Sequence, residues 1–318
     1  MVVTSTAAAL ALMLLSMTCW GSWANTYKLA GNVRFELFYW DYAIGLALTA
    51  IALAFYSDGS ALLPELRAAT STTLWEAVAA GVVFNLANLL LVAAIALAGL
   101  AVAFPLGIGT ALIVGTALTF LVDRKGTPGY IVVGVALAVL AIIACATAYR
   151  RQAGGLNVTR KGVVICLVSG ILMACWAPLA AASMRGGPGG LSTFSSLAVF
   201  SVGALLSTIP FNLYFMRRPL TDKPVSLRDY GSGGARWHLL GLLGGVIWTV
   251  GTAANLVAGH ATGFAVSYAI GQSAPLVASL WGIFVWREFS PITGAVARPL
   301  VAMYVFYTAA ILVLSRAL

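Results

Sequence analysis

Long apolar runs are the feature of this sequence that most limits what it can fold into. Ten segments of roughly 20 residues consist almost entirely of apolar side chains, and a helix needs about that length to cross a bilayer. Their approximate bounds are 5–27, 34–56, 75–97, 100–122, 128–149, 161–184, 191–215, 237–259, 262–286 and 296–315. Continuous runs favour helices over the short alternating strands of a membrane β-barrel. The sequence therefore predicts an all-α integral membrane protein with ten transmembrane helices.

The composition supports this class and excludes several functions. Only 8% of residues are charged, against about 25% in soluble domains. The 18 Lys and Arg residues fall mostly between the apolar runs, where basic residues set topology, so the net charge of +9 does not indicate nucleic acid. The four cysteines lie inside apolar runs without metal-ligand spacing, which predicts no metal site. No GxxxxGK[ST] loop is present, so ATP-driven transport has no support.

The two halves of the chain resemble each other. Residues 99–107 align without gaps with 263–271, and Cys19-Trp20 has a counterpart in Cys175-Trp176. Each half holds five helices, so the second half must enter the membrane from the opposite side. This predicts a five-plus-five inverted repeat with a site near the midplane between the repeats; chance similarity of two Ala/Gly/Val-rich segments is the alternative. The predicted units are 1–149, a short central loop at 150–161, and 162–318.

The loop charges predict an orientation. Five basic residues lie on the side that bears the N-terminus: Arg67, Arg124, Lys125, Arg185 and Arg316. The remaining 13 of the 18 lie on the other side, which the positive-inside rule assigns to the cytosol. Both termini are then expected outside a plasma or inner membrane.

The most unusual segment is 34–42, which carries three charges and five aromatic residues at the start of the second helix. Asp41 falls about two turns into that helix, roughly 10 Å along its axis. An ionisable group at that depth is a functional hypothesis by default, and we expect Asp41 to load and release a proton. The alternative is that it pairs with Arg34 or Lys28. Glu36 is either a second proton site or a carboxylate favoured at a helix N-terminus.

Amides, tryptophans and prolines supply the remaining candidates. The amides either hold helices together or bind a solute; they are Asn25, Asn85, Asn88, Asn255 and Gln272. Trp20, Trp176 and Trp248 lie deeper than interfacial tryptophans usually do, so their faces could stack on a sugar ring or a planar heterocycle. Pro105, Pro178 and Pro275 are candidate bending points for alternating access.

Ten helices in two fives resemble the drug/metabolite transporter superfamily. Residues 19–25, Lys28 and residues 35–42 resemble the N-terminal signature of the glucose/ribose porter and ureide permease branch. This resemblance implies a proton- or ion-coupled importer of small polar solutes, with a cavity lined by helices 1–4 and 6–9 and with helices 5 and 10 peripheral. The plant ureide permeases carry a long central loop with a nucleotide-binding-like motif. The short connection here favours a porter of bacterial type.

These observations predict a secondary active transporter that imports a sugar or ureide-like solute, coupled to protons rather than sodium. Its expected partners are that solute and the lipid bilayer, and no cofactor is expected. Export of a drug or metabolite is the alternative. An enzyme is disfavoured because His238 and His260, at opposite ends of one predicted helix, are expected far apart near different membrane faces, and no catalytic triad or metal-ligand spacing occurs.

Overall fold

The computed structural model describes residues 5–98, 100–153, 159–220 and 223–318. Ten stretches in it are long and apolar enough to cross a membrane, and the described residues include no strand. We number them spans 1 to 10: Thr6–Ala30, Phe35–Ala68, Ser71–Ile95, Leu106–Asp123, Pro128–Gln152, Arg160–Ser183, Thr193–Arg217, Ala235–Thr262, Phe264–Val285 and Gly294–Ala317. The protein is a multi-pass all-α membrane protein, which confirms the predicted class.

Local chemistry sets the ends of several spans. The Ser5 and Ser192 hydroxyls accept hydrogen bonds from the backbone N–H groups of Ala8 and Ser195, and so cap spans 1 and 7. Gly263 is the single residue between spans 8 and 9. Its φ of +124° belongs to a region that only glycine adopts freely. The chain can therefore reverse direction within one residue, as the short gap between the apolar runs 237–259 and 262–286 predicts.

Two regions carry more helix than the apolar runs predict. Span 2 consists of a long helix, Phe35–Asp58, a 3₁₀ turn, Gly59–Ala61, and a short helix, Leu62–Ala68. The connection between spans 7 and 8 contains another short helix, Leu227–Gly231. A capping box, in which Ser226 and Asp229 satisfy each other's backbone N–H groups, begins that helix. Polar capping residues rather than hydropathy form it, so a search for apolar runs does not find it.

Spans 4 and 9 are interrupted at positions that the sequence repeat pairs with each other. Span 9 consists of Phe264–Gly271 and Ala274–Leu280, with the break at residues 272–273, and ends in a π-helical turn, Trp281–Val285. A π-helical segment, Phe104–Ile108, lies at the start of span 4. In the sequence repeat, residues 104–108 align with residues 268–272. Pro105 lies within this segment, and Pro275 is the second residue of the helix that follows the break in span 9. Pro178, by contrast, lies inside an unbroken helix.

Corresponding spans of the two halves make corresponding contacts, where each span of the first half corresponds to the span five places later in the chain. Span 3 packs on span 6 as span 8 packs on span 1, and span 2 packs on span 8 as span 7 packs on span 3. Span 4 packs on span 6 as span 9 packs on span 1, while spans 5 and 10 pack on each other. This pattern favours the inverted repeat, which stays a prediction.

Glycines bring the backbones into direct contact at two of these matched interfaces. A side chain at any of the four positions would overlap the backbone of the neighbouring span. The contacts are Gly45 with Leu242, Gly245 with Tyr42, Gly81 with Phe200 and Gly203 with Val78. Small residues at such crossings let membrane helices approach closely. The first two contacts join spans 2 and 8, and the last two join spans 3 and 7 in the same register.

Candidate functional site

A cavity of about 250 Å³ lies between spans 1, 3, 4, 5 and 9. Trp20 and Trp23 of span 1 line its inner part. Ile108 and Pro275 place it beside the interruptions of spans 4 and 9. Odd-numbered spans all end on the same side of the bundle. Lys28 ends span 1 on that side, and the residues after span 9 lie there too. They form the mouth of the cavity.

An ion pair lies at the mouth of the cavity. The Lys28 ammonium contacts one carboxylate oxygen of Glu288, and the Tyr149 hydroxyl donates to the other at 3.3 Å. The Lys28 nitrogen also lies 4.6 Å from the centre of the Trp286 ring, within the range of a cation–π contact. Four side chains from two spans and one loop therefore hold one another at this point.

Asn25 is the one predicted amide that lines this cavity. Its Oδ1 accepts from the Trp286 indole N–H at 2.6 Å, and its Nδ2 donates to the Ser22 carbonyl at 2.8 Å. Between Trp286 and Glu288, Arg287 adopts a left-handed conformation with φ of +53°, which is uncommon for a residue other than glycine. This turn directs both neighbouring side chains to the cavity.

The three predicted deep tryptophans meet in one aromatic cluster. The ring centres of Trp20 lie 5.9 Å from those of Trp176 and 6.3 Å from those of Trp248. Phe84 packs on Trp248 at 4.1 Å. Trp176 and Trp248 are buried, and of the three only Trp20 lines the cavity. The Trp20 N–H donates to Thr252 Oγ1 at 3.1 Å, which ties span 1 to span 8 and fixes the ring that lines the cavity.

The other predicted amides lie outside the cavity, and three of them bond neighbouring spans. Asn85 donates to Ser207 at 2.8 Å, and Asn88 donates to the Tyr39 hydroxyl at 3.4 Å. Asn255 and Ser267 exchange two hydrogen bonds between spans 8 and 9. These are the contacts expected of amides that hold helices together. Gln272 lies half-buried at the break in span 9, and a solute contact by any of these amides stays a prediction.

Asp41 is 5% exposed, and two side chains among the described residues contact its carboxylate. Its Oδ1 accepts from the Tyr230 hydroxyl at 2.8 Å, and its Oδ2 lies 2.7 Å from His238 Nδ1. The two cations considered in the sequence have other partners in the structure: Arg34 pairs with Glu36, and Lys28 pairs with Glu288. His238 could not be paired with Asp41 from the sequence, because the two residues are 197 positions apart and no local pattern indicates contact over that separation.

Tyr230 reaches Asp41 from the short helix Leu227–Gly231, outside the membrane spans. Burial, together with the hydrogen bond to the Asp41 carboxylate, raises the pKa of Tyr230 to about 12. The hydroxyl is therefore a neutral donor over the physiological pH range. It ties the connection between spans 7 and 8 to span 2.

Glu36, the second predicted proton site, is held by a neighbouring cation. Arg34 donates to both oxygens of its carboxylate, at 2.7 and 3.2 Å, and also to the Lys223 carbonyl at 2.5 Å. Two parallel N–H bonds to one carboxylate are the strong arrangement for this pair. Glu36 thus lies in the first turn of span 2 and pairs with Arg34, and its role as a proton site stays a prediction.

A ureide permease family model matches residues 157–317, just over half of the chain. The chain belongs to the ureide permease family. Since this is a family of transporters, the ten-span bundle with its cavity is a transporter and not an enzyme. Among the described residues, no group of His, Cys, Asp and Glu side chains could hold a metal ion.

Curated members of the family are similar to this chain over different lengths. Ureide permease 4 of Arabidopsis thaliana is 23% identical over an alignment that covers 98% of both proteins. Ureide permease 5 of the same plant is 30% identical over 38% of this chain and 29% of its own length. Ureide permease 1 is 26% identical over 48% of this chain and 41% of its own.

A solved crystal structure shares the fold of this family member. It superposes with a TM-score of 0.70 at 18% identity, over 97% of this chain and 96% of the other. The agreement over nearly the full length of both chains shows that the arrangement of the spans is one that an experimental structure also adopts.

A larger groove of about 740 Å³ lies between spans 4 and 5 and is apolar throughout most of its lining. Ile113, Leu121 and Val132, which line it, are among the exposed apolar residues of the bundle. Because such surfaces of a membrane protein face lipid, this groove is part of the lipid-facing exterior of the permease rather than an internal solute cavity.

Proposed function

We propose that this protein is a secondary transporter that imports a small neutral polar solute, ureide- or sugar-like, by alternating access and with proton coupling. The observation that carries the proposal is the cavity beside the interrupted spans 4 and 9. Interrupted helices at matching positions of the two halves are the usual place for the binding site of such transporters. The printed names of the curated relatives, all ureide permeases, support a ureide as the solute.

The size and lining of the cavity support a small polar solute. Its volume of about 250 Å³ is below the roughly 300–1,000 Å³ typical of drug-sized ligands. Trp20 and Trp23 offer flat faces, while Asn25 and the Lys28–Glu288 pair offer hydrogen bonds. Export of drugs would favour a broad apolar cavity, and the apolar groove between spans 4 and 5 faces outward instead.

The predicted orientation relates the cavity to the cytosol. Lys28 and Arg34 lie on the side with 13 basic residues, which the positive-inside rule makes cytosolic. The cavity mouth and Asp41 are at that end. In this orientation the termini lie outside a plasma or inner membrane, and the conformation described here is one that opens inward.

Asp41 is positioned to couple protonation to movement of span 8. As a carboxylate it accepts hydrogen bonds from Tyr230 and His238, and these join span 2 to span 8 and to the short helix before it. Once protonated, Asp41 loses the negative charge that strengthens its hydrogen bonds with Tyr230 and His238. Protonation therefore weakens the link between spans 2 and 8. The loss of one local charge then shifts the equilibrium between the inward-open and outward-open states. The partly exposed ring of His238 provides the contact with water.

Uptake into proteoliposomes under an imposed pH gradient tests the proposal, with radiolabelled allantoin and glucose as solutes. Wild-type protein should accumulate at least one of them when the gradient is present. Asp41→Asn should lose the dependence on the gradient. Asp58→Asn is the matched control, because Asp58 lies at the other end of the long helix of span 2 and accepts from Ser192 and Ser195. If Asp41→Asn transports the solute with unchanged pH dependence, the proposal that Asp41 couples transport to protons is wrong.

A further inference from the structure

Glu288 received no role from the sequence, yet it lies at the mouth of the cavity. Lys28 and Glu288 are the charged side chains among the described residues that line it. Their charges cancel, so the lining carries no net charge while they are paired. The lining of the cavity thus contains one full positive charge and one full negative charge, and its net charge is zero.

The contact between these two side chains can be exchanged for a solute at little cost. The Lys28 and Glu288 side chains are 43% and 30% exposed, and ion pairs this accessible to water contribute little to stability. When Lys28 leaves Glu288, the Trp286 ring remains within reach of its ammonium. Glu288 keeps its hydrogen bond from Tyr149. Lys28 and Glu288 therefore each retain one partner, and each can contact a solute in place of the other.

We propose that Lys28 and Glu288 separate to bind the transported solute and that their balanced charges make the site selective for neutral molecules. Lys28 donates to a carbonyl or hydroxyl oxygen of the solute, and Glu288 accepts from an N–H or O–H group. A solute with an adjacent donor and acceptor replaces both halves of the ion pair. An anion would satisfy Lys28 but meet Glu288 as a like charge, which is a repulsive element against the wrong ligand. This inference rests on the proposed transport function and extends it to the basis of selectivity.

The hydrogen bonds around the pair support this role. Tyr149 orients one oxygen of Glu288, and Asn25 holds Trp286 through the indole N–H. Both supports remain when Lys28 moves away. The carboxylate and the aromatic face therefore keep their positions for the solute, which lowers the cost of ordering them on binding.

A charge-selectivity experiment tests the proposal on purified full-length protein in detergent. Calorimetry would measure the affinity for allantoin, which is neutral, and for allantoate, the carboxylate formed when its ring is opened. Wild-type protein should prefer allantoin. Glu288→Gln preserves the shape but leaves Lys28 unbalanced, so the ratio of the two affinities should shift toward allantoate by about tenfold or more, as expected for one charge-assisted hydrogen bond. Lys28→Gln should shift the ratio further toward allantoin.

Glu76→Gln is the matched control, since Glu76 forms a similar ion pair with Arg185 at the other end of the bundle. Its affinity ratio should equal that of the wild type. A purely structural Lys28–Glu288 pair would lower the unfolding midpoint of Glu288→Gln and leave the ratio within twofold of the wild type, and that result would overturn the proposal. If the wild type binds glucose instead of allantoin, glucose and glucuronate form the test pair. If it binds and transports none of these solutes, the proposed function itself fails.

Discussion

Gly241 of span 8 lies directly against Asp41 of span 2. A Cβ atom on residue 241 would stand 2.5 Å from the Cβ of Asp41, a separation that real side chains do not adopt. The absence of a side chain at Gly241 therefore lets span 8 come close enough for His238 to reach the carboxylate. The position of Asp41 in the bundle depends on a backbone contact as much as on its hydrogen bonds.

Gly241→Ala should destabilise the protein, because the added methyl group forces spans 2 and 8 apart. Overpacking of this kind typically costs about 1–3 kcal/mol. The unfolding midpoint in detergent measures the effect. Gly129→Ala in span 5 is the control, since an added Cβ there meets no atom within 4 Å, and it should leave the midpoint unchanged or slightly raised. Equal midpoints for the two variants would show that the close contact at Asp41 is absent.

Tyr230→Phe should release the connection between spans 7 and 8 from span 2. The change removes one hydrogen bond to a carboxylate, worth roughly 1.5–3 kcal/mol. Limited digestion with trypsin measures the result at Arg228, which lies in this connection and is followed by Asp229. We expect cleavage there at least about tenfold faster than in the wild type. Tyr214→Phe is the control, since Tyr214 is an exposed tyrosine of span 7, and it should be digested at the wild-type rate. Faster digestion of Tyr214→Phe but not of Tyr230→Phe would show that the Tyr230 hydroxyl does not hold the connection.

The same tyrosine should make stability fall at high pH. The pKa of Tyr230 is raised from the usual 10 to about 12, so the folded protein holds this proton more tightly than the unfolded chain does. Its contribution is complete below pH 10 and is lost as pH rises toward 12. Unfolding midpoints at pH 9 and pH 11.5 test this. The drop between them should be smaller in Tyr230→Phe, and an equal drop in both proteins would show that Tyr230 does not contribute.

The matched glycine contacts predict matched costs in the two halves. Gly45→Ala disrupts the crossing of spans 2 and 8, and Gly203→Ala disrupts the crossing of spans 3 and 7. Each should lower the free energy of unfolding by about 1–3 kcal/mol, and the two losses should agree within about 1 kcal/mol. Gly294→Ala, in open space, serves as the control. A large loss at one site with none at the other would argue against the inverted repeat.

The number and approximate positions of the spans could be predicted because they depend on local properties. Twenty apolar residues in sequence suffice to identify a span. Pro105 and Pro275 marked the two irregular segments for a similarly local reason, since proline disrupts helical hydrogen bonding. Pro178 shows the limit of this signal, because its helix continues without a break.

The partners of the charged residues could not be predicted, because they come together only when the spans pack. Asp41 meets His238 and Lys28 meets Glu288 across most of the chain, and neither pair follows a local spacing. The amides posed a different problem. The same side chain can hold helices together or bind a solute, so only the structure shows that Asn25 lines the cavity while Asn85 bonds span 7.

The two glycine crossings are alike in backbone but unlike in chemistry. Asp41 lies one turn before Gly45, whereas the equivalent position one turn before Gly203 is Val199. The halves of the molecule thus share one way of packing, and only one of them can gain or lose a charge there. In the proposed cycle a single carboxylate therefore carries the coupling to protons, and the matching crossing in the other half contributes packing alone.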